Sequence, residues 1–291
     1  MVVDFVVPGF SKCGTTTLCD MLNSHEDIFI PPGKEPGYFA ENFDRGWNWY
    51  MESFATRTKQ KLVGDGSTTY SSQEFAEVAR DRILANSPDC RFIFIAREPR
   101  RRLESSFREM HASGYKYGVT PDFNFGKSLR QLPNMIADTM YWKLITIFRE
   151  KVADSHIHVL FLEDLNKQPE LEYAKCLQFL GLPARSLSNY SRQLNSAETK
   201  VCDTRLLRWL RCHKVTRRWW AKIPLRHQEL LMDRLRLRRK FDAPIEWDEF
   251  AKNQFNEVVA TDSRKFLANY GKFPSFWNLP SDEAERVHRA A

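Results

Sequence analysis

The sequence predicts an α/β protein with a central, mostly parallel sheet covered by helices on both faces. Three observations carry that expectation. Short β-rich runs alternate with helical stretches through the first 183 residues. The run Arg91-Phe-Ile-Phe-Ile-Ala96 is wholly apolar after its first residue, as a strand buried on both faces must be. A glycine-containing loop stands directly between the first strand and the first helix.

Taken in order, Val2 to Val7 reads as a strand and Gly9 to Thr17 as the loop and start of a helix. Leu18, Met21 and Leu22 then share one helical face. Ile28 to Ile30 is a short strand stopped by Pro31-Pro32-Gly33. Leu62-Val63-Gly64 is another, and Phe75 to Leu84 a helix. After the strand ending at Ala96, Pro99 opens a charged helix that runs to about Met110, a first-turn position that suits proline. Tyr141 to Phe148 is helical, Ile157 to Leu162 a strand, and Leu171 to Leu180 a helix closed by Gly181. Beyond Pro183 no strong strand is expected. Thr204 to Lys240, rich in Arg, Lys, Trp and Leu, reads as basic amphipathic helices on the core. With no long linker, residues 1–291 are expected to form a single domain. Residues 1–183 would be its α/β core and 184–291 its basic, mostly helical part.

Composition narrows the function classes. Hydrophobic residues make up 42% of the chain, enough for a core without disulfide staples. The net charge of +7 favours anionic partners without choosing among them. The six cysteines form no CxxC pair and stand at no zinc-ligand spacing, so they read as reduced thiols. The apolar run at Met1 is too short for a signal peptide, and no apolar stretch is long enough to span a bilayer. With Met1 as the native start, a cytoplasmic location is expected.

Two stretches carry phosphate-binding chemistry. In Gly9-Phe-Ser-Lys-Cys-Gly-Thr-Thr-Thr-Leu18 the glycines allow close backbone approach to a helix start. Its free N–H groups and dipole favour an anion. Lys12 adds a mobile charge, and Thr15 and Thr16 add hydroxyls. The nucleotide triphosphatase loop wants Lys-Ser or Lys-Thr after the second glycine, whereas here Gly14 is followed by Thr15-Thr16 and the lysine lies inside the loop. In Arg97-Glu-Pro-Arg-Arg-Arg-Leu-Glu-Ser105, Arg97 stands at a strand's carboxyl end, where open α/β sheets bind ligands. A guanidinium fork there can hold a phosphate bidentately, with a serine completing the cradle. Arg100, Arg101 and Arg102 are expected on the helix surface.

Together these strings resemble the sulfotransferases that use 3′-phosphoadenosine 5′-phosphosulfate (PAPS). The resemblance implies a three-layer fold like that of P-loop nucleotide hydrolases and transfer of a sulfuryl group to a hydroxyl or amine. It implies that Ser11, Lys12, Cys13, Gly14, Thr15, Thr16 and Thr17 hold the 5′-phosphosulfate, with Lys12 stabilising the departing phosphate. Arg97 and Ser105 match the family's 3′-phosphate motif. Lys34-Glu-Pro-Gly-Tyr-Phe39 resembles the Lys-Glu-Pro segment of the heparan sulfate-type and bacterial branch, which makes Glu35 the expected general base. Gly37 stands where that branch often has histidine. Asp65-Gly-Ser-Thr-Thr-Tyr70 resembles the Glu-Lys-Ser/Thr-Pro-x-Tyr segment, with Gly66 in place of the lysine. Lys34, Tyr38, Ser67 and Tyr70 are accordingly expected at the acceptor, a small molecule or carbohydrate. Phe161-Leu-Glu-Asp-Leu165, Phe179-Leu-Gly-Leu-Pro183 and Tyr141 match later landmarks. Lys200 falls where family members close over the nucleotide. No metal is expected, and PAP would be the product. His111 reads as a surface or supporting residue. The resemblance covers about the first two-thirds of the chain.

Two other classes share some of these features. A P-loop kinase of a small metabolite would share the opening strand, loop and helix but would require Mg²⁺ and ATP. A nucleic-acid or membrane binder would explain Arg217, Arg218, Trp219 and Trp220, although at helical spacing such residues more often make a packed face with a solvated basic rim.

Overall fold

The structure is a computed structural model. It describes residues 3–113, 119, 121–187, 201–213, 216, 219, 223, 225–235, 237–240 and 244–280. The chain forms two compact units. The first is built from the described parts of Met1–Arg102, Ile136–Leu194 and Asn256–Ala291, and the second from those of Leu103–Met135 and Asn195–Phe255. Residues 256–280 thus belong to the first unit, although they follow the second in the chain.

The first unit is a three-layer α/β structure. Its strands are β1 (Phe5–Gly9), β2 (Ile28–Phe29), β3 (Leu62–Asp65), β4 (Arg91–Ala96) and β5 (Ile157–Phe161). All pair in parallel, in the order β2-β3-β1-β4-β5. After β1 the chain leaves toward β3 and β2, and after β4 it leaves toward β5. The strand order thus reverses between β1 and β4, where an open sheet leaves a crevice at its carboxyl end. Phe92 to Ala96 are all fully buried, which explains the unbroken apolar run of β4.

The helices are α1 (Thr15–Asn23), α2 (Trp47–Glu52), α3 (Ala76–Asn86), α4 (Pro99–Ser113), α5 (Phe125–Gln131), α6 (Asn134–Ala137), α7 (Tyr141–Arg149), α8 (Leu162–Lys167) and α9 (Pro169–Leu180), of which α1, α3, α4, α7 and α9 are the ones the sequence predicts. α1 buries Leu18, Met21 and Leu22, the face its periodicity marks. α4 begins at Pro99, and the Glu98 carboxylate accepts from the backbone N–H groups of Arg100 and Arg101, capping the helix. α9 has Pro169 in its first turn and ends on the left-handed Gly181. A later helix, Ala260–Asn269, packs back on α7, and its Asp262 carboxylate accepts from the N–H groups of Trp142 (2.9 Å) and Lys143 (3.0 Å). Phe10, Phe94, Tyr141, Phe266 and Trp277 join in one aromatic cluster beneath the β1 loop. Each such ring, fully buried, contributes about 2–3 kcal/mol of transfer free energy. Cys13, Cys19, Cys90 and Cys176 are buried and unpaired with one another, and burial pushes the Cys13 thiol up to about 11.

The second unit holds most of α4, α5, the helices Arg205–Cys212, Leu225–Arg234 and Glu249–Gln254, and a two-stranded antiparallel ribbon of β6 (Val201–Asp203) and β7 (Arg238–Lys240). That ribbon corrects the expectation of no further strand, although neither run alternates in polarity. Here His111 is buried rather than on the surface, wedged edge-on against Phe107 and stacked on Phe123. Phe125 and Trp247 continue the ring cluster. Among the described residues no helix is long and apolar enough to cross a membrane.

Candidate active site

The crevice at the β1/β4 boundary is lined from two loops. The β1 loop spans Phe10 to Gly14 and feeds α1. Its backbone is fixed at both ends: Phe10 N–H donates to the Ile95 carbonyl (2.9 Å), and Leu18 N–H to that of Gly14 (3.0 Å). Gly14 is left-handed (φ 95°), and a Cβ there would stand 2.7 Å from Leu162 Cδ1. Glycine suits the position because an L side chain would be strained at this φ and would also have to displace Leu162, the first residue of α8. No side chain caps α1, and no acidic residue sits in its first turn, so the positive end of the helix keeps its affinity for an anion. Thr15 is buried, Thr17 half-buried and Thr16 exposed.

Lys12, half-buried, has φ 67° and Lys34 φ 52°. Non-glycine residues in this left-handed region cost roughly 1–2 kcal/mol each. Among the described residues only Asn278 shares it. Such strain persists where the surrounding contacts over-determine the backbone, as they do at functional sites.

The β4 loop brings Arg97 to the same place. Its guanidinium Nη1 lies 3.5 Å from the Lys12 carbonyl oxygen, and its own carbonyl accepts from the Tyr141 hydroxyl at 2.9 Å. That hydroxyl also lies 3.3 Å from Cys13 Sγ, so Tyr141 ties the two loops together from below. The next residue is held too: Glu98 N–H donates to the Glu163 carboxylate (2.8 Å), which also accepts from the Trp277 indole. These contacts show what the landmarks Tyr141 and Phe161–Leu165 do: they fix the loops.

Arg102 departs from expectation. It is not on the helix surface but 2% exposed. Its guanidinium donates to the Ser11 carbonyl (3.1 Å) and to Thr139 Oγ1 (2.9 Å). In a charge run the sequence cannot say which member turns inward. Here the fourth residue after Glu98, the last of the three arginines, does, pinning the β1 loop from the α4 side.

A third loop completes the cluster. Lys34 Nζ donates to Thr15 Oγ1 (3.4 Å) and to the Gly66 carbonyl (3.3 Å), and pairs with the Glu35 carboxylate. Burial pushes the Lys34 ammonium's pKa down, and the nearby Lys12 charge acts in the same direction. Glu35 is 40% exposed on its side chain, so its carboxylate is reachable from solvent while held beside the start of α1. Gly37 is left-handed (φ 64°), and a Cβ there would press on the Glu41 carboxylate at 2.6 Å. A histidine there would carry the left-handed strain and require the Glu41 side chain to move. At Gly66 a Cβ would meet Cys19 Sγ at 2.8 Å and Lys34 O at 3.3 Å, so a larger residue there would require the Cys19 side chain and the Lys34 backbone to shift.

The other residues expected at the acceptor make contacts within the protein. Ser67 and Tyr70 are buried, and both serve Asp65. Its carboxylate accepts from Tyr50 Oη (2.8 Å), Tyr70 Oη (2.8 Å), Ser67 Oγ (2.6 Å) and Ser67 N–H (2.9 Å). Burial pushes the Asp65 carboxyl up, and the hydrogen bonds from Ser67, Tyr70 and Tyr50 pull it back. Ser67 Oγ in turn accepts from Gly37 N–H (2.8 Å), and Tyr70 Oη from Phe39 N–H (3.3 Å). The network thus holds the Lys34–Phe39 loop. Tyr38 is buried as well, stacked on Tyr50 with ring centroids 4.6 Å apart. Ser105 is buried on the part of α4 that belongs to the second unit. Lys200, Arg217, Arg218 and Trp220 lie outside the described residues.

The structure therefore gathers Lys12, Thr15, Lys34, Glu35 and Arg97 around one helix start at the sheet's switch point. Such a place suits a ligand with more than one anionic group, and a carboxylate stands beside it.

Comparison with known proteins places this fold in a family. The human heparan sulfate glucosamine 3-O-sulfotransferase 6 is 33% identical over 129 residues, which is 40% of this chain and 36% of that one. The membrane-associated sulfotransferase kil1 of Dictyostelium discoideum is 29% identical over 113 residues, 38% of this chain and 23% of that one. The chain thus aligns with only about a third of the length of these relatives or less. The crystal structure of a sulfotransferase from Alicyclobacillus acidocaldarius superposes with a TM-score of 0.60 over 96% of this chain and 99% of that one, at 18% identity, and shares the fold. The family model of the sulfotransferase domain matches residues 3–218. That stretch is most of the chain and contains both strand-end loops, so the protein belongs to the sulfotransferase domain family.

Proposed function

We propose that the protein transfers a sulfuryl group from PAPS to a hydroxyl or amine of an acceptor. The observation that supports the reading is the meeting of the two strand-end loops, with the Arg97 guanidinium 3.5 Å from the backbone carbonyl oxygen of Lys12. The donor has a phosphate at its 3′ position and a phosphosulfate at its 5′ position. The uncapped α1 start with Thr15, Thr16 and Lys12 suits the phosphosulfate, and Arg97 suits the 3′-phosphate. PAPS supplies an activated sulfur with a good phosphate leaving group.

In the transfer, the bond between sulfur and the bridging phosphate oxygen breaks as the acceptor's oxygen or nitrogen bonds to sulfur. The acceptor's proton passes to a base. Lys12 offsets the negative charge that grows on the bridging oxygen, a stabilisation realised mainly in the transition state. Glu35, exposed and anchored by Lys34, takes the proton. Lys34 holds that carboxylate against Thr15, which sets the base and the anion site at a fixed spacing. Tyr141, Arg102 and the Asp65 network touch none of the reacting atoms and act by positioning the loops. Because the human relative's name specifies a glucosamine of heparan sulfate, a sugar hydroxyl is the first acceptor class to test.

The donor assignment is tested by thermal shift. Adenosine 3′,5′-bisphosphate should raise the melting temperature, by an amount equivalent to about 2.7 kcal/mol at a hundred times its Kd. ATP with Mg²⁺ should raise it far less. Stabilisation by ATP and Mg²⁺ alone would replace this reading with that of a kinase.

A further inference from the structure

Among the described residues, ten large apolar side chains are exposed, and six of them lie between Leu206 and Leu235. Single exposed leucines are ordinary, but so many within one short segment mark a contact surface. The helices Arg205–Cys212 and Leu225–Arg234 bury Leu207 and Met232 together with Leu237 in a small core of their own. They leave Leu206 (56%), Trp209 (53%), Leu230 (60%) and the following Leu235 (60%) facing solvent. The apolar content of these helices therefore exceeds what their core uses.

The same stretch of sequence holds the chain's positive charge. Residues 205–240 contain thirteen arginines and lysines against Glu229 and Asp233, a net +11, while the whole chain is +7. Everything outside the stretch is net negative. Arg234 is exposed beside Leu235.

Exposed leucine and tryptophan set among many cations fit one kind of partner better than the others. A nucleic acid or a charged glycan would use the cations and the tryptophan rings but gain little from leucines. A neutral bilayer would use the apolar side chains but not the charge. An anionic bilayer surface uses both: the apolar side chains enter the headgroup boundary and the basic residues meet the negative surface potential. We propose that the helices Arg205–Cys212 and Leu225–Arg234 dock the protein onto an anionic lipid surface, lying in the interface and not crossing it. The reading is independent of the donor and of the acceptor.

The experiment is flotation of the full chain with two kinds of vesicle, phosphatidylcholine alone and phosphatidylcholine with about one-third phosphatidylglycerol. Binding is expected to the anionic vesicles and not to the neutral ones. The exposed triple variant Leu206→Gln, Trp209→Gln, Leu235→Gln should weaken binding to the anionic vesicles by about tenfold or more. A second variant, Arg234→Glu, should weaken it by about five- to tenfold while leaving the apolar side chains in place. It serves alone if the triple variant melts below the parent protein. Failure of the parent protein to float with anionic vesicles overturns the proposal. So does a correctly folded triple variant that floats like the parent and binds a single-stranded oligonucleotide equally well, because the surface would then read charge alone.

Discussion

Lys12→Ala should lower kcat for sulfuryl transfer by on the order of 10²-fold or more. The same substitution should change the affinity for adenosine 3′,5′-bisphosphate much less, because the charge that Lys12 offsets develops only as the bridging bond breaks. Stability gives an internal control. Lys12 sits at φ 67°, so alanine keeps the left-handed cost and glycine removes it. Lys12→Gly should therefore be more stable than Lys12→Ala by about 1 kcal/mol yet equally impaired. Steady-state kinetics with saturating donor, paired with urea denaturation of both variants, separates the two effects. A Lys12→Ala enzyme with the parent kcat would remove Lys12 from the mechanism.

The second large effect is on stability. Asp65→Ala should cost roughly 3–5 kcal/mol, because three buried hydroxyls and one amide lose their shared acceptor. Asp65→Asn keeps the shape but turns an amide group with two donors of its own toward those hydroxyls, so it should recover only part of the loss. Ser67 Oγ also holds Gly37 N–H, so an Asp65 variant that still folds should show a lower kcat through a loosened Glu35 loop. Urea denaturation measures the first consequence. A loss below about 1 kcal/mol would mean that these hydroxyls find other partners and that the network is not what anchors the loop.

What was legible in the sequence follows a physical division. Strand β4 is buried on both faces, so its composition alone marks it, and its bounds agree with expectation to the residue. The meeting of the β1 loop with Arg97 is legible because both follow strands of one parallel sheet, whose carboxyl-end loops lie side by side. Arg102 was not, because its inward turn depends on Ser11 and Thr139, which lie far from it in the chain. Ser67 and Tyr70 are expected at the acceptor for a similar reason: the matching segment locates them near the site but not the direction in which their hydroxyls point. The β6–β7 ribbon is invisible to periodicity, since Arg238-Arg239-Lys240 has no apolar alternation. The return of Ala260–Asn269 to the first unit rests on Asp262 capping α7, a partnership that no local pattern announces.

In the proposed mechanism Lys12 and Arg97 serve the two ends of one nucleotide. The direct measurement is calorimetric titration of adenosine 3′,5′-bisphosphate and adenosine 5′-monophosphate into the parent protein and into Arg97→Ala. The parent should bind the bisphosphate more tightly, by about tenfold or more, and Arg97→Ala should lose most of that preference while binding the monophosphate as before. An Arg97→Ala protein that keeps the full preference for the 3′-phosphate would contradict the account.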